Sequence, residues 1–495
     1  FLVTMIVGLT GFVIVRLRAL EVKSIPEYYQ LRFGKKVRVL GAILLVLGGV
    51  LNMGLFLKVG AIFIQTIFGL ESGSTLIMVM FILLVLVLIY TISGGMISVI
   101  VTDYIQYIIL SIGLLVTVFY SISTLGWTNL FLSLENFFCL SCAEGIYNPV
   151  SSMGPSYMSW QVVLGFVSAV IWPTAITRAL SIKTVNMVKY QYVWSSVSFL
   201  IRFIIPCFLG ICAFIYFNGY NGIGFGDDTL ALMPRYLYHI LPPGMLGIVV
   251  AGMLAAFMST HDSYLLCWST IITNDIIEPL SNRRIASKTK IMLTRFIILV
   301  LGMYVFYWGM FYEGSDAIWD YLGITGAIYF TGAISVVVFG LYWDRASSTG
   351  AILALLGGLS SLIGLEPIRL FLGINVSNPA VIGIMTLGLS ILLMILGSLI
   401  WPDNNNNTFS KENLETQDNI MKKYYVNELL VVLIFLLSYV MYGPQSSWLK
   451  GYITWKLAWQ SLFVVTIVLF ILMFIRFTYG GFKDLQSLLT DNVEK

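Results

Sequence analysis

Charge is scarce in this chain. Only 11% of its 495 residues are Asp, Glu, Lys or Arg, against about a quarter in an average soluble domain. Two histidines are too few for a multi-histidine metal centre. No GxSxG, HExxH or phosphate-cradling glycine loop occurs, so nucleophilic hydrolases, zinc proteases and NTPases have no foothold and an enzyme is not expected. Strand-like alternation is missing too, which argues against a β-barrel. The five cysteines include Cys139 and Cys142 in "CLSC", without the further ligands a zinc site needs. A short disulfide on the oxidising side and two free thiols both remain open.

What fills the chain is apolar: 58% of residues are hydrophobic and the mean hydropathy is +0.91. Runs long enough to cross a bilayer, about 20 residues, recur throughout. They place candidate spans at 1–20, 38–68, 75–94, 96–124, 158–178, 189–219, 241–278, 285–311, 315–343, 346–372, 378–401, 425–443 and 453–477. The expectation is an all-α polytopic membrane protein of about 13 transmembrane helices whose first partner is the lipid bilayer. The opening "FLVTMIVGLTGF" lies inside a hydrophobic helix and its basic flank follows it. That order is wrong for a secretory signal and suggests an N-terminally truncated numbering. If the first span ends in the cytoplasm, twenty-one of the 28 Lys and Arg fall in inner connections and the C-terminal tail. That bias fixes the orientation, and basic loops facing an anionic leaflet account for the net charge of +4 without nucleic acid. The connection 126–158 has no Lys or Arg and reads as an irregular outer cap, whereas "PDNNNNTFSKENLETQDN" reads as a disordered cytoplasmic linker.

Ionisable and hydroxylated residues inside the spans cost free energy and usually face a cavity or a partner. In "AAFMSTHDSYLLCWST" the residues Ala256, Ser259, Thr260, Ser263 and Cys267 share one helical face. Such a small, hydroxyl-rich stripe suits either close helix packing or a hard cation that takes oxygen ligands. Asp262 sits at the edge of that face, while His261 points about 160° away from Ser259, toward another helix. Asp103, in "VIVTDYIQ", is either a helix-start acid or a further cation ligand. Pro173 interrupts span 158–178, with Trp172 and Thr174 beside it. The break is a simple kink or a place where freed backbone meets solute and ion. Lys58 and Arg202 lie well inside spans, which calls for an ion pair, an anionic solute or a route to the interface.

Several stretches together resemble the sodium:solute symporter family. "GSTLIMVMFILLVLVLIYTISGGMIS" (73–98) fits the family's glycine-ended pattern throughout, closing on Tyr90, Thr91, Gly94, Gly95, Met96 and Ser98. "SIPEYYQLRFGK", "VIVTDYIQ", "TRALSIKTVNMVK" and "LPPGMLGIVVAGMLAAFMSTHDS" match further family segments in order. The resemblance covers roughly residues 1–400. It implies a LeuT-like five-plus-five inverted-repeat core with extra C-terminal helices. The organisation expected is a first repeat at 1–124 lacking its first helix, an extracellular connection at 125–157, and a second repeat at 158–343. Additional helices at 344–401, the linker at 402–424 and a C-terminal pair with tail at 425–495 complete it.

The resemblance also implies a function: Na+-coupled import of a small organic solute by alternating access. Carried over residue by residue, the principal Na+ site takes Ala256, Ser259 and Thr260, its remaining ligands coming from the helix expected before residue 1. A second cation or proton site falls on Asp103, Asp262 and Ser263, with Asp262 standing where members with two sites carry a hydroxyl. Trp172, Pro173 and Thr174 at the break become solute candidates, and Thr325 and Tyr329 join them by position. "FLVTMIVGLTG" offers no acid and Trp172 replaces an Asn, which departs from the sugar-binding branch. "WPTAITR" is closer to the form in proline and pantothenate carriers, which favours a carboxylate or amino acid. Proton coupling, or a sodium-linked receptor or channel on this scaffold, are the alternatives.

Overall fold

Proline, glycine and capping hydroxyls decide where this apolar chain starts and stops its helices. The computed structural model describes residues 2–70, 73–137, 153–182, 184–217, 230–281, 285–311, 318–373, 379–403 and 455–493, and no strand occurs among them. Helices α1 (Leu2–Thr10) and α2 (Ile14–Ala19) lead into α3 (Ile25–Phe33), α4 (Lys35–Ile67), α5 (Gly73–Leu125) and α6 (Trp127–Phe137). The middle of the chain holds α7 (Pro155–Ile171), α8 (Pro173–Leu180), α9 (Val185–Ile215), α10 (Leu232–Ile240) and α11 (Pro243–Ile271). A π-turn segment, Ile272–Ile277, carries α11 into α12 (Glu278–Ser281). Then come α13 (Ser287–Phe311), α14 (Ile318–Tyr342), α15 (Ser348–Gly358), a tighter-wound stretch Leu359–Gly364, α16 (Glu366–Leu372), α17 (Pro379–Ile400) and α18 (Trp455–Val493).

Ten helices among the described residues are long and apolar enough to cross a membrane, which bears out a polytopic all-α chain. Four expected spans differ in detail. Span 1–20 is two short helices, because Gly11 and Val13 take positive φ of 73° and 62°. A β-branched residue there is strained, and the surroundings hold it: Tyr342 Oη accepts from the Val13 N–H at 3.2 Å, and Phe12 stacks on the Tyr342 ring at 5.4 Å. Spans 75–94 and 96–124 lie in one unbroken helical run, α5, as two apolar windows, Gly73–Ile92 and Val101–Leu125. Span 346–372 bends by 87° between Ser348–Gly364 and Glu366–Leu372, leaving Leu370 and Phe371 exposed. The outer connection is not irregular at its start, where α6 buries Phe131 and Leu134. Cys139, Cys142, the body of the linker and span 425–443 lie outside the described residues.

The chain gathers into two discontinuous units. The first comprises Phe1–Leu55, Met153–Ser196 and Tyr264–Ser446. Its axis is α14, buried at nearly every position from Tyr321 to Val337. Gly332 lets α14 meet α15 backbone to backbone, since a Cβ there would come within 2.8 Å of the Ala354 carbonyl oxygen, the small-residue packing of helices in lipid. Helix α3 is set by Ser24, whose hydroxyl accepts from the Glu27 N–H at 3.1 Å, with Pro26 in the first turn and Gly34 at its end. The Tyr29 phenol on α3 meets that of Tyr329 at 3.2 Å. Burial pushes the Tyr29 phenol well above the ordinary tyrosine range, so it is a neutral partner.

The second unit comprises Phe56–Ser152, Val197–Ser263 and Ser447–Lys495. Phe63, Ile67, Leu237, Leu241 and Val249 form one core cluster in it. Helix α18 packs there through Phe463, whose ring lies 5.2 Å from Phe208 and 6.4 Å from Phe131. The Lys456–Glu135 ion pair (2.9 Å) and the Tyr104 hydroxyl donating to the Thr478 carbonyl (2.5 Å) add polar ties. Lys58 is half-buried, and Arg202 is exposed on α9, 6.0 Å from the Phe199 ring.

Candidate functional site

The hydroxyl face of α11 lies in the second unit, and its side chains are held rather than loose. Thr260 Oγ1 donates to the Ala256 carbonyl one turn back at 2.8 Å, the usual way a hydroxyl is accommodated inside a helix in lipid. That bond spends the hydroxyl proton and leaves the oxygen its capacity to accept. Ala256, Ser259, Thr260 and Ser263 are all half-buried, a poise between packing and access.

Asp262 is fully buried, at 0% exposure. Its Oδ2 accepts from the Tyr90 hydroxyl at 2.6 Å, and that hydroxyl also reaches the Met258 carbonyl at 2.8 Å. Asp262 Oδ1 has no hydrogen-bond partner among the described residues, although Ser263 stands beside the carboxylate. Asp103 is within electrostatic reach of the same group. The structure therefore brings Asp103, Asp262 and Ser263 to one locality and adds Tyr90, which spacing alone did not mark as a site residue. Its position in the glycine-ended pattern was the available signal. A second acid near a buried, half-satisfied carboxylate calls for a cation or a proton. His261 turns away as its spacing required: its Nδ1 meets the Phe257 carbonyl at 2.9 Å and its ring faces Phe56 at 6.4 Å.

The helix break lies in the first unit. Backbone angles of φ −57° and ψ 119° at Trp172 end α7, and Pro173 opens α8. Proline removes the amide that would serve the Ala169 carbonyl, and the Tyr192 hydroxyl donates to that oxygen instead at 3.0 Å. The Trp172 ring meets Phe330 (5.2 Å), Tyr264 (5.8 Å) and Trp268 (6.0 Å). Aromatic side chains thus surround the break, with Thr174 half-buried one residue beyond Pro173.

Thr325 and Tyr329 belong to this unit but are committed elsewhere. Thr325 Oγ1 donates to the Tyr321 carbonyl at 2.8 Å and accepts from Asn52 Nδ2 at 3.1 Å. Tyr321 donates to the Leu51 carbonyl at 2.7 Å and accepts from Trp308 Nε1 at 2.9 Å. These bonds clamp α4 to α14. Tyr329 is paired with Tyr29.

A further polar group, in the first unit, escaped sequence reasoning. Arg38, on α4, reaches Asp275 Oδ1 through Nη2 (2.6 Å) and Nε (3.0 Å), and the Asn274 carbonyl at 3.1 Å. Ser24 adds a hydrogen bond to the same carboxylate oxygen at 3.2 Å. Asp275 lies in the π-turn segment, a form frequent at functional positions. Nothing in the local sequence pairs residues so far apart.

Comparison with known proteins supplies the family. The sequence profile of the "Sodium:solute symporter family" matches residues 1–358, and the chain belongs to that family. It is 27% identical over 379 residues to the sodium/myo-inositol cotransporter 2 of Homo sapiens, a match covering 70% of this chain and 55% of that protein. It is 25% identical over 358 residues to the sodium/proline symporter of Staphylococcus aureus, covering 68% and 64%. The chain thus spans little more than half the length of the human relative. Among solved structures, the substrate-bound, outward-open state of a Na+-coupled sialic acid symporter superposes with a TM-score of 0.60 at 19% identity. That match covers 81% of this chain and 86% of the other. The two share the LeuT-like fold.

Proposed function

We propose that this family member is a Na+-driven symporter of the cell membrane, importing a small organic solute by alternating access. The carrying observation is the α11 face, where Thr260 has its proton bound to Ala256 at 2.8 Å and its oxygen left to a ligand. Ala256, Ser259 and Thr260 are read as one side of the principal Na+ site. Asp103, Asp262 and Ser263, with Tyr90, are read as a second cation site, because Asp262 Oδ1 is buried without a donor. Trp172, Pro173 and Thr174 are read as the solute end. The organisation into inverted repeats at 1–124 and 158–343 is part of the same proposal.

The cycle follows from charge. Na+ entering from outside exchanges its water for hydroxyl and carbonyl oxygens of α11, which favours the state able to take solute. Closure and inward opening release both. The membrane potential contributes about 2.3 kcal/mol per charge per 100 mV. The relatives' names span myo-inositol, proline and sialic acid; "WPTAITR" and the absence of an acid in "FLVTMIVGLTG" favour a carboxylate or amino acid here.

Uptake into proteoliposomes tests the reading. An imposed Na+ gradient is expected to drive solute entry and a pH gradient alone is not. Entry driven equally by a pH gradient transfers the coupling role to protons on the Asp103–Asp262 pair. A Na+ current without solute makes the scaffold a channel. Two coupled cations predict a Hill coefficient above one for Na+ that falls in Asp103→Asn; a coefficient near one, unchanged in that variant, removes the second site.

A further inference from the structure

Helix α18 carries one inward stripe along most of its length. Phe463, Thr466, Phe470 and Met473 follow one another at steps of three and four residues and are all buried, and Phe477 and Gly481 continue the spacing. Leu472, Ile475, Tyr479 and Phe482 are exposed on the opposite face. The stripe ends on the segment of α5 that carries Asp103. There the Tyr104 hydroxyl donates to the Thr478 carbonyl at 2.5 Å, and the Tyr107 ring stands edge-on to Phe477 at 6.2 Å. The Tyr104 ring lies so close to the Gly481 backbone that a Cβ would overlap it, whereas the neighbouring Gly480 has open space in the same test. Of two adjacent glycines, the contact requires the second.

Another face of α5 meets α11 backbone to backbone. A Cβ on Gly252 would come within 3.1 Å of Leu110 Cα, and one on Gly113 within 3.3 Å of Val249 Cα. These two pairs share one antiparallel register. Continued along both helices, it brings Asp262 within a turn of Asp103, in agreement with the electrostatic reach between the two acids. At about 100° per residue, Asp103 falls between the side of α5 that meets α11 and the side, Tyr104 and Tyr107, that meets α18. A helix packed on one side alone can roll about its axis, and a second contact on the adjoining side fixes the roll. Helix α18 is itself tied about 33 Å away along its axis, through the Lys456–Glu135 pair and the Phe463 contacts with Phe208 and Phe131.

We propose that α18, which lies beyond the residues matched by the family profile, positions Asp103 for the coupling ion, with Tyr104 and Gly481 as the positioning residues. The inference rests on the reading of Asp103, Asp262 and Ser263 as a second cation site, and names what regulates it. The roll of α5 at Asp103 sets how far its carboxylate stands from Asp262, and so whether the two acids can share a cation. Tyr104 and Gly481 touch no ion themselves. They act through the backbone that Tyr104 shares with its neighbour Asp103.

The test is a Na+ titration of the full chain in nanodiscs without solute, read by thermal stabilisation. Gly481→Ala and Gly480→Ala make the same change in helix propensity, but only the first meets Tyr104. Gly481→Ala is expected to raise half-saturating Na+ by about tenfold, the lower end of what losing an outer support does to a metal site. Its Hill coefficient is expected to fall to about one, and Gly480→Ala to change neither quantity. Tyr104→Phe keeps the ring and loses the bond to Thr478; it is expected to raise half-saturating Na+ about threefold. Because the support acts through Asp103, Gly481→Ala is expected to add nothing in an Asp103→Asn background. No shift in Gly481→Ala and Tyr104→Phe, an equal shift in Gly480→Ala, or full additivity with Asp103→Asn overturns the inference and leaves the second site standing. Asp103→Asn without effect on Na+ binding removes the second site, and the positioning role with it. Absence of any Na+-dependent stabilisation removes the transport reading itself.

Discussion

The two units solve the same difficulty, polar groups inside a membrane protein, in opposite ways. Around the break in the first unit, polar side chains are paired with one another: Asn52 with Thr325, Trp308 with Tyr321, Tyr29 with Tyr329, Arg38 with Asp275. Four buried polar atoms of that unit are left over: Tyr28 Oη, Gln191 Oε1, Trp268 Nε1 and Ser390 Oγ. On α11 in the second unit the atoms left over belong to a carboxylate and an imidazole, Oδ1 of Asp262 and Nε2 of His261. A buried carboxylate oxygen without a donor suits a cation or a proton. The proposed coupling chemistry rests on what the second unit leaves unsatisfied.

The strongest way to break this contrast is at the Arg38–Asp275 pair of the first unit. Asp275 is nearly enclosed, with side-chain exposure of 4%, and its partner Arg38 shows 16%. Arg38→Met strands a buried carboxylate, and removing one partner of such a pair costs about 3–5 kcal/mol. The expected result is a large loss of thermal stability, with substantial recovery in the double variant Arg38→Met/Asp275→Leu. Recovery of stability without transport would assign the pair a part in the transport cycle; no loss in the single variant would mean the carboxylate is not confined as the geometry indicates.

Next in size is the Gly49 contact. Gly49→Val drives a branched side chain into the Trp268 indole, and overpacking of this kind costs about 1–3 kcal/mol. Uptake is expected to vanish, with half-saturating Na+ for stabilisation little changed. On the opposite side of the contrast, Thr260→Ala is expected to raise half-saturating Na+ by about tenfold, equivalent to about 1.4 kcal/mol of lost binding. It leaves the melting temperature without Na+ nearly untouched, because the bond to Ala256 is internal to one helix. If Thr260→Ala instead destabilises the Na+-free protein and spares Na+ affinity, the face is a packing stripe.

Much of this was legible in the sequence, for specific reasons. Hydropathy located the spans because a bilayer imposes one length on every crossing helix, and Pro173 announced its break because proline has no amide to give. The shared face of Ala256, Ser259 and Thr260 followed from helical periodicity. Other features are set by tertiary context and left no local trace. The break at Gly11–Val13 depends on Tyr342 arriving to cap an amide. Arg38 and Asp275 meet across 237 residues. Thr325 looked like a cavity hydroxyl by position, yet Asn52 takes it, and no spacing rule identifies a partner on another helix. Tyr90 belonged to a recognised pattern, but its bond to Asp262 appears only when α5 and α11 pack.

The smallest expected effect sharpens the difference between a break that is open and one that is capped. Tyr192→Phe removes only the hydroxyl that donates to Ala169 at 3.0 Å. A hydrogen bond of this kind contributes about 0.5–1.5 kcal/mol, so the melting temperature should fall by a few degrees. The consequence for transport depends on whether the freed carbonyl stays in the break or rotates toward the solute. A carbonyl turned into the break changes its polarity, so affinity for a transported solute should fall about twofold to threefold, while affinity for Na+ holds. Unchanged solute affinity would show that Tyr192 serves the stability of the break alone. Unchanged stability would show that water serves the Ala169 carbonyl equally well, as ordered water does in other broken membrane helices.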